Sequence, residues 1–342
     1  MGPHPAVAQI RLAVRRCLSG AGLAPGDLVL AACSGGADSL ALASALAFEA
    51  PKLGLRGGGV TVDHGLHDGS DEQARRAAKA LNGMCLQPVH SVTAAVTRPG
   101  GPGYPGPEAA AREARYAALH ESARECGAAA ILLGHTMDDQ AETVLLGLAR
   151  GSGARSLAGM PERSGPFLRP LLPISRATTR AACVAQGLEP WDDPQNADPG
   201  FARVRVRHRL LPVLEAELGP GVAEALARSA RLLRDDADFL DALADEELER
   251  IAPSGSGHSL ALDALAALPE AIRSRVLRSA AIAAGCPPGA LSARHVTGLE
   301  ALVTGWRGQR WTDLPGGIRA WRRYGKLQFG SGDDLEGAGG RE

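Results

Sequence analysis

The sequence predicts an α/β protein, a doubly wound parallel sheet over the first two thirds of the chain followed by a mostly helical accessory domain. Three observations carry this. Short apolar runs alternate with segments of helical periodicity through the first 150 residues, the pattern of repeated βαβ units. A glycine-rich turn, SGGADS, stands between the first such run and the first such helix, where a parallel sheet meets its ligands. From Arg203 onward long amphipathic stretches replace the strand-like runs, until an alternating segment near the carboxyl end.

Strands are expected at Asp27–Cys33, Gly59–Asp63, Met84–His90 and Ala129–Gly134, apolar runs of strand length bounded by turn residues. Helices are expected at Ser39–Glu49, Asp71–Leu81, Pro107–Cys126 and Asp138–Arg150, from apolar spacing of one helical turn and from polar or proline starts. Between Thr97 and Pro107 the sequence TRPGGPGYPGP is too rich in glycine and proline to form an element, and it reads as a mobile lid or a plain surface loop. Downstream, the pattern predicts a long helix over Ala223–Arg250 and shorter ones within Leu262–Gly285 and Ser292–Thr304. Gln309–Phe329, alternating around Leu314-Pro315-Gly316-Gly317, reads as a small β-hairpin. The expected organisation is a catalytic domain over 1–216, an accessory domain over 217–330 and a loose tail over 331–342. Net charges of +2 over 1–216 and −3 over 217–342 suit different roles.

Composition excludes several classes. A chain of 342 residues with 45% hydrophobic content buries a core, so bulk disorder is excluded. The longest apolar stretches, such as Leu40–Phe48, fall well short of a membrane span, and no secretory signal pattern opens the chain. Six cysteines without a CxxC pair fit neither a disulfide framework nor a zinc or iron–sulfur site, and point to a reducing cytoplasm. A formal charge of −1 hides local basic patches. Residues 150–180 carry six arginines against Glu162, and Arg203, Arg205, Arg207 and Arg209 follow one another with no acid between them. Such patches suit phosphate-rich partners.

The chemistry concentrates in a few motifs. In Ser34-Gly35-Gly36-Ala37-Asp38-Ser39, glycines let the backbone approach an anion. The following helix start and two hydroxyls supply donors, so the turn is a phosphate cradle. It lacks the ending of a Walker A loop and the glycine pattern of a dinucleotide fold, which disfavours ordinary phosphoryl and hydride transfer. Asp63, in VDHGL at the end of the second strand, stands where a ribose hydroxyl or an adenine amine is held, or caps a helix. Gly134-His135-Thr136-Met137-Asp138-Asp139-Gln140-Ala141-Glu142-Thr143 gathers three acids and a histidine at one strand-to-helix corner. That set fits a Mg²⁺-triphosphate site with an acid/base group. The loop Arg150-Gly151-Ser152-Gly153 meets pyrophosphate or a nucleic-acid backbone. In PEAAAREARYAAL, Glu108, Arg112, Arg115 and Tyr116 lie at helical spacing.

SGGADS after the first strand resembles the PP-loop of the N-type ATP pyrophosphatases, which have an adenine nucleotide alpha hydrolase-like fold. The ordered set SGGADS, VDHGL, EAAAREARY, GHTMDDQAETVLLGLARGSG, RPLLPISR, WDDPQN and RVRVRHRLLP is similar to the tRNA(Ile)-lysidine synthase family over most of residues 28–216. Three positions depart from that family's usual residues: His67 for Arg, Gln195 for Ser and Val204 for Asn.

The resemblance implies an ATP-dependent ligase that attaches free L-lysine to carbon-2 of the wobble cytidine of a tRNA(Ile) bearing a CAU anticodon. The cytidine oxygen is first adenylated, and AMP and pyrophosphate are released. It implies that Ser34, Gly35, Gly36, Ala37, Asp38, Ser39 and Gly134 hold ATP and that Asp63 holds its adenosine. Asp38, Asp138 and Asp139 would bind Mg²⁺, and Asp138, Asp139 and Glu142 would manage lysine charge. His135 or Asp139 would move the proton, and Arg112, Arg115, Arg203, Arg205 and Arg207 would contact tRNA, with Arg207 also at the catalytic centre. The helical accessory domain over 217–330, with its terminal hairpin, would bind a second part of the tRNA. No membrane partner is expected, and the sequence leaves room for a homodimer. Two other classes share parts of this pattern. A tRNA thiolase would use the same loop but needs sulfur-handling cysteine pairs. A non-catalytic tRNA-binding protein has no use for SGGADS together with HTMDDQAET.

Overall fold

The computed structural model describes residues 2–63, 69–94, 107–151, 153–193, 198–252 and 259–331. The proposed lid, His64 to Leu66 of VDHGL, the departures His67 and Gln195, Ser152 of the second loop and the expected tail beyond 331 fall outside the described residues. The chain divides into two compact units, Met1–Arg231 and Leu232–Glu342. The division falls after the boundary expected at 216.

In the first unit, helix α1 (Pro5–Ser19) opens the fold, with His4 accepting the Ala6 N–H at 3.2 Å. Ala6, Val7, Ile10, Val14 and Leu18 recur at helical spacing on its buried face. The expected alternation then follows: β1 (Leu28–Ala32), α2 (Ala37–Glu49), β2 (Arg56–Asp63), α3 (Ser70–Gly83), β3 (Val89–Thr93), α4 (Pro107–Glu125), β4 (Ala128–Leu132) and α5 (Met137–Ala149). Beyond it come the short α6 (Ala154–Leu157), the hairpin β5 (Arg163–Ser164) and β6 (Phe167–Leu168), α7 (Arg176–Ala185), α8 (Ala202–Arg205) and α9 (Leu211–Leu218).

The sheet runs β3-β2-β1-β4-β6-β5 and is parallel except at the β5 edge. Strand order therefore reverses between β1 and β4, which opens a crevice at their carboxyl ends. Alternation along the strands sets the layers. Val29, Ala31, Ala130 and Leu132 pack with α1, α2, α3 and α7 in one core. Leu28, Leu30, Ile131, Leu133 and Phe167 pack against Leu119 and Ala123 of α4 in the other. Both faces are covered, as a parallel sheet requires.

Two strand expectations are corrected. The second begins at Arg56 rather than Gly59, because the run Gly57-Gly58-Gly59 is strand made of glycine for contact reasons. A Cβ at Gly58 would lie 2.7 Å from Leu30 Cδ2 and 2.8 Å from the Pro88 carbonyl oxygen, and one at Gly59 2.7 Å from Leu81 Cδ1. The third begins at Val89 rather than Met84, because Met84 closes α3 and Cys85 turns the chain at φ 61°.

Helix α10 (Val222–Ile251) spans the division between the units. The second unit continues with β7 (Ser259–Ala261), α11 (Leu262–Ala267), α12 (Glu270–Ala283), α13 (Ala293–Thr304), β8 (Thr312–Asp313), β9 (Ile318–Arg323) and β10 (Lys326–Ser331). Leu268 and Pro269, both in extended backbone, split the expected Leu262–Gly285 helix in two. The expected hairpin is one part of a four-stranded antiparallel sheet, β7-β10-β9-β8. Its tight turn is Tyr324-Gly325, both at positive φ, whereas the LPGG run connects β8 to β9 as a single 3-10 turn. Leu260, Leu265, Val276, Leu277, Leu299, Leu302, Leu327 and Phe329 form this unit's own core.

Because a methyl group at Gly58 has no room between Leu30 and the Pro88 carbonyl, Gly58→Ala is expected to cost about 1–3 kcal/mol. The measure is the urea midpoint of the first unit's unfolding; an unchanged midpoint would contradict this packing.

Candidate functional site

A cavity of about 720 Å³ opens at the carboxyl ends of β1 and β4, the size of a small-molecule site. Its floor is the turn between β1 and α2. Gly35 makes the turn at φ 86°, and a Cβ there would lie 2.0 Å from Gln73 Nε2, so the position requires glycine. Gln73 Nε2 donates to the Ser34 carbonyl (3.1 Å), and the Trp191 N–H donates to the Gly35 carbonyl (2.9 Å). Ser39 Oγ donates to the Gly36 carbonyl (2.9 Å) and accepts from the Ser34 N–H (3.2 Å). No side chain caps α2 at Gly36, so the dipole end faces the cavity for an anion. Gly134 closes against this turn, where an added Cβ would lie 3.2 Å from Ser39 N. Ser34, Gly36, Ala37, Asp38, Ser39 and Gly134 all line the cavity, together with His135 and Asp139.

The acids lie deeper, under arginines. Thr136 caps α5, and Asp139 Oδ2 accepts both its N–H (2.8 Å) and its hydroxyl (2.9 Å). Asp139 Oδ1 accepts from Arg176 Nη2 at 2.9 Å and Arg207 Nη2 at 3.3 Å. Glu142, whose side chain has no exposure, accepts a forked pair from Arg207, Nε to Oε1 at 2.7 Å and Nη2 to Oε2 at 3.0 Å. Arg176 Nη2 adds a contact at 3.4 Å, and Arg203 Nε lies 3.7 Å from Glu142 Oε2. Asp138 turns aside, its Oδ2 accepting the backbone N–H of Arg176 at 2.8 Å. Asp38 accepts a short hydrogen bond from the Thr179 hydroxyl, and its Oδ2 lies 3.7 Å from Arg176 Nε.

Arg176 thus touches Asp38, Asp139 and Glu142, a role that its place in RPLLPISR does not by itself indicate. One signal was available. Ser175 caps α7 and Arg176 follows as its first helical residue, the end of a helix that disfavours a cation. An arginine there needs acids from elsewhere in the fold.

Burial fixes the ionisation states. It works against charge on Arg176, but Asp139, Glu142, Asp38 and Asp138 outweigh it and raise the pKa. Burial also works against charge on Asp139, which Arg176, the Thr136 N–H, His135 and Arg207 overcome, holding the carboxyl below its usual range. Asp38 is pushed up to about 6 by burial, with the Thr179 hydrogen bond opposing and Asp139 adding to the rise. His135 is pushed down to about 3 by burial, Asp139 opposing and Arg169, Arg115 and Arg112 assisting. Its ring is therefore neutral at pH 7, and its buried Nδ1 lacks a partner among the described residues. Of the two proton-transfer candidates, neither His135 nor Asp139 titrates near neutrality; Asp38 comes closer.

The carboxylates assigned to Mg²⁺ do not converge. Among the described residues no three metal-ligating side chains gather, and both oxygens of Asp139 are taken by Thr136, Arg176 and Arg207. Asp38 differs, being buried at the phosphate turn with its charge undercompensated. One carboxylate completed by substrate phosphates is a common way to hold Mg²⁺, so Asp38 fits that ion and Asp138 and Asp139 do not.

The arginine run is corrected in geometry. Its period of two had left helix or extended arm open; the chain is α8, a π turn over Val206–Leu210 and α9. Arg203 and Arg207 therefore share a face one turn apart and line the cavity with Arg115. Arg205 instead donates to the carbonyls of Pro199 (2.7 Å) and Gly200 (2.8 Å). Arg112 is exposed, donating to the Tyr116 hydroxyl at 3.2 Å. Asp63 ends β2 opposite Thr93, while Val60 and Val62 supply that strand's part of the cavity wall.

A parallel sheet with an uncapped glycine turn and a sunken carboxylate at its switch point defines a PP-loop protein. Residues 13–214 match the family model described as PP-loop domain, and residues 260–328 match that described as TilS substrate binding domain. The chain is 58% identical to a tRNA(Ile)-lysidine synthase of Thermobifida fusca, over 95% of this chain and 98% of that one. It is 53% identical to the tRNA(Ile)-lysidine synthase of Streptomyces coelicolor, over 97% and 100% respectively. The solved structure of a U34-tRNA thiolase from Methanococcus maripaludis, 18% identical, superposes with a TM-score of 0.56 over 67% of this chain and 80% of that one, a likeness of fold. The chain belongs to the tRNA(Ile)-lysidine synthase family.

Two outcomes follow from the charge arrangement. Removing the shared cation in Arg176→Met is expected to cost about 3–5 kcal/mol in urea unfolding, as for other broken buried pairs, while Arg205→Met costs about 1 kcal/mol or less; equal effects would contradict the cluster. Asp38 has a folded pKa above its unfolded one, so its ionisation opposes folding above about pH 6 and has no effect below about pH 4. Asp38→Asn is accordingly expected to raise the Tm of the ligand-free protein at pH 8, at about 2–4 °C per kcal/mol relieved. The gain should fade by about pH 4, and an equal gain at both pH values would contradict the assignment.

Proposed function

We propose that this chain joins lysine to the wobble cytidine of tRNA(Ile) with a CAU anticodon, giving lysidine at the expense of ATP. The observation that carries the reading is near-full-length identity of 53–58% to tRNA(Ile)-lysidine synthases, in a chain whose cavity has the phosphate turn and acid cluster just described. The cytidine 2-oxygen attacks the α-phosphorus of ATP and pyrophosphate leaves. The ε-amine of lysine then attacks carbon-2, and AMP departs with the oxygen. Adenylation is needed because that oxygen is otherwise a poor leaving group.

The chain's residues divide this work. The turn Ser34–Ser39 and Gly134 hold the phosphates, and Asp63 reaches the adenosine. Asp38 would hold Mg²⁺, which when bound would neutralise phosphate charge. Asp139, held as an anion by Arg176 and Arg207, presents negative charge to the lysine ammonium group from the cavity wall, with Glu142 behind it holding Arg207 in place, while neutral His135 offers a hydrogen bond at the reacting base. The ε-amine must lose a proton from a group of ordinary pKa about 10.4 before it attacks. Arg115, Arg203 and Arg207 present charge to the anticodon backbone from inside the cavity. Arg112 does so from its rim, and Arg205 orders the turn beside it. The work takes place in the cytoplasm, on free tRNA. No helix among the described residues is long and apolar enough to cross a membrane.

The test incubates the protein with ATP, labelled lysine and a tRNA(Ile) transcript bearing CAU, beside a tRNA(Met) transcript with the same anticodon. Label is expected on tRNA(Ile) alone. Pyrophosphate release without label on either RNA would keep the adenylating site and overturn lysine as the nucleophile.

A further inference from the structure

Helix α10 starts on a residue that cannot cap it. Its first helical residue is Val222 and the position before it is Gly221, at φ 99°, so no side chain there can meet the free N–H groups of the first turn. The acceptor comes from the preceding helix. Glu215 of α9 receives the Gly221 N–H on Oε2 at 2.7 Å and the Ala223 N–H on Oε1 at 3.0 Å. Between the two helices lies the turn Gly219-Pro220-Gly221, with Gly219 at φ 89°. The Ala223 N–H, joined by those of Val222 and Gly221, holds the Glu215 carboxyl below its usual range against the opposing effect of burial. The positive end of the helix dipole favours a carboxylate at this place as well.

One turn before Glu215 on α9, Leu211 is buried in a small apolar cluster with Val206 and Ala141, against which Leu145 and Leu146 of α5 and Ala223 and Leu226 of α10 pack. Three elements meet there, all within the first unit. Ala141 and Leu145 flank Glu142 on α5, Val206 precedes Arg207 in the π turn, and Ala223 is a residue whose N–H Glu215 holds. The fork from Arg207 to Glu142 therefore joins two of these elements, and Glu215 fastens the third beside them. The turn that carries Arg207 is short of backbone bonds of its own. Its Leu211 N–H reaches back five residues to the Val206 carbonyl, and Pro212 has no N–H to give. Contacts from outside must steady it. Arg205 holds its near end on the carbonyls of Pro199 and Gly200, and Glu215 holds its far end on α10.

We infer that Glu215 is a positioning residue for the lysine step: by fastening α9 to the start of α10, it seats the apolar cluster that keeps Arg207 on Glu142 and Asp139. Glu215 does not line the cavity. Its influence passes through Arg207 to Asp139, the anion that meets the lysine ammonium group. This rests on the lysidine reading for the reaction in which the effect is seen. The phosphate turn is braced by Gln73 and Trp191 from other elements, so lysine and ATP should respond differently to the loss of Glu215.

The full chain is tested on a tRNA(Ile) transcript as Glu215→Ala, as Glu215→Gln and, for a control on the same helix, as Glu217→Ala, which changes an exposed residue. Glu215→Ala is expected to lower kcat/KM for lysine about tenfold to a hundredfold, chiefly through a higher lysine KM, with the KM for ATP unchanged. Glu215→Gln keeps one carbonyl oxygen for one N–H and should fall between; it carries the comparison if the Ala variant does not fold. Glu217→Ala should match wild type. Amide hydrogen exchange of the ligand-free chain gives a second readout. Loss of Glu215 should quicken exchange at Gly221 and Ala223 and also at Leu211, whose N–H bonds within the π turn and not to Glu215. A lower kcat with both KM values unchanged, as fewer folded molecules would give, overturns the proposal. So do an equal rise in both KM values, unaltered lysine kinetics, or faster exchange confined to Gly221 and Ala223. Failure of the wild-type chain to attach lysine to any RNA, with exchange at Leu211 still dependent on Glu215, would sink the lysidine reading and leave the fastening of the Arg207 turn standing.

Discussion

The site depends on one electrostatic constraint: Glu142, fully buried, must keep a guanidinium. A carboxylate without solvent is expensive unless it is paired and hydrogen-bonded, and Arg207 meets it with a two-bond fork. Everything nearby is arranged around that pair. Arg176 links it to Asp139 and Asp38, the Thr136 cap fixes Asp139, and the π turn sets Arg207 one turn beyond Arg203. The cluster gives little net stability by such accounting, because desolvation offsets most of the attraction. Its return is geometric, in that carboxylates and phosphate turn are held at fixed separation before a substrate arrives.

The same constraint sorts the ionisable groups into two kinds. Asp139 is made a firm anion by its partners, and His135 a firm neutral ring by burial among arginines. Asp38 alone is left between, sunk beside the phosphate turn and only partly compensated. A group of that kind gains most from a cation or a proton brought in by a ligand.

Much of this was legible in the sequence. Residues 34–39 and 134–142 announce a strand–turn–helix corner by their glycines and acids, and both corners fall in the cavity wall. The periodicity also placed β1, β4, α2, α3, α4 and α5 within a few residues. What escaped is informative. Helix α1 precedes the first recognisable motif, so nothing drew the eye to it. The start of β3 was hidden because Met84 and Leu86 are apolar in a turn, and periodicity does not distinguish an apolar turn from a strand. The partner of the acids escaped because Arg176 and Arg207 lie 34 and 65 residues from Glu142, a separation that spacing rules do not reach. The run of arginines misled in a similar way, since period two in sequence became a helical face once the backbone coiled.

The carboxylates and their counter-charges are ordered along the chain. Asp38, Asp139 and Glu142 are all made before Arg176, Arg203 and Arg207, and the Trp191 N–H that braces the Gly35 turn also comes late. In a chain emerging from the ribosome, Glu142 therefore precedes its forked partner by 65 residues, and its surroundings cannot lose water in the native arrangement until residue 207 has cleared the exit tunnel.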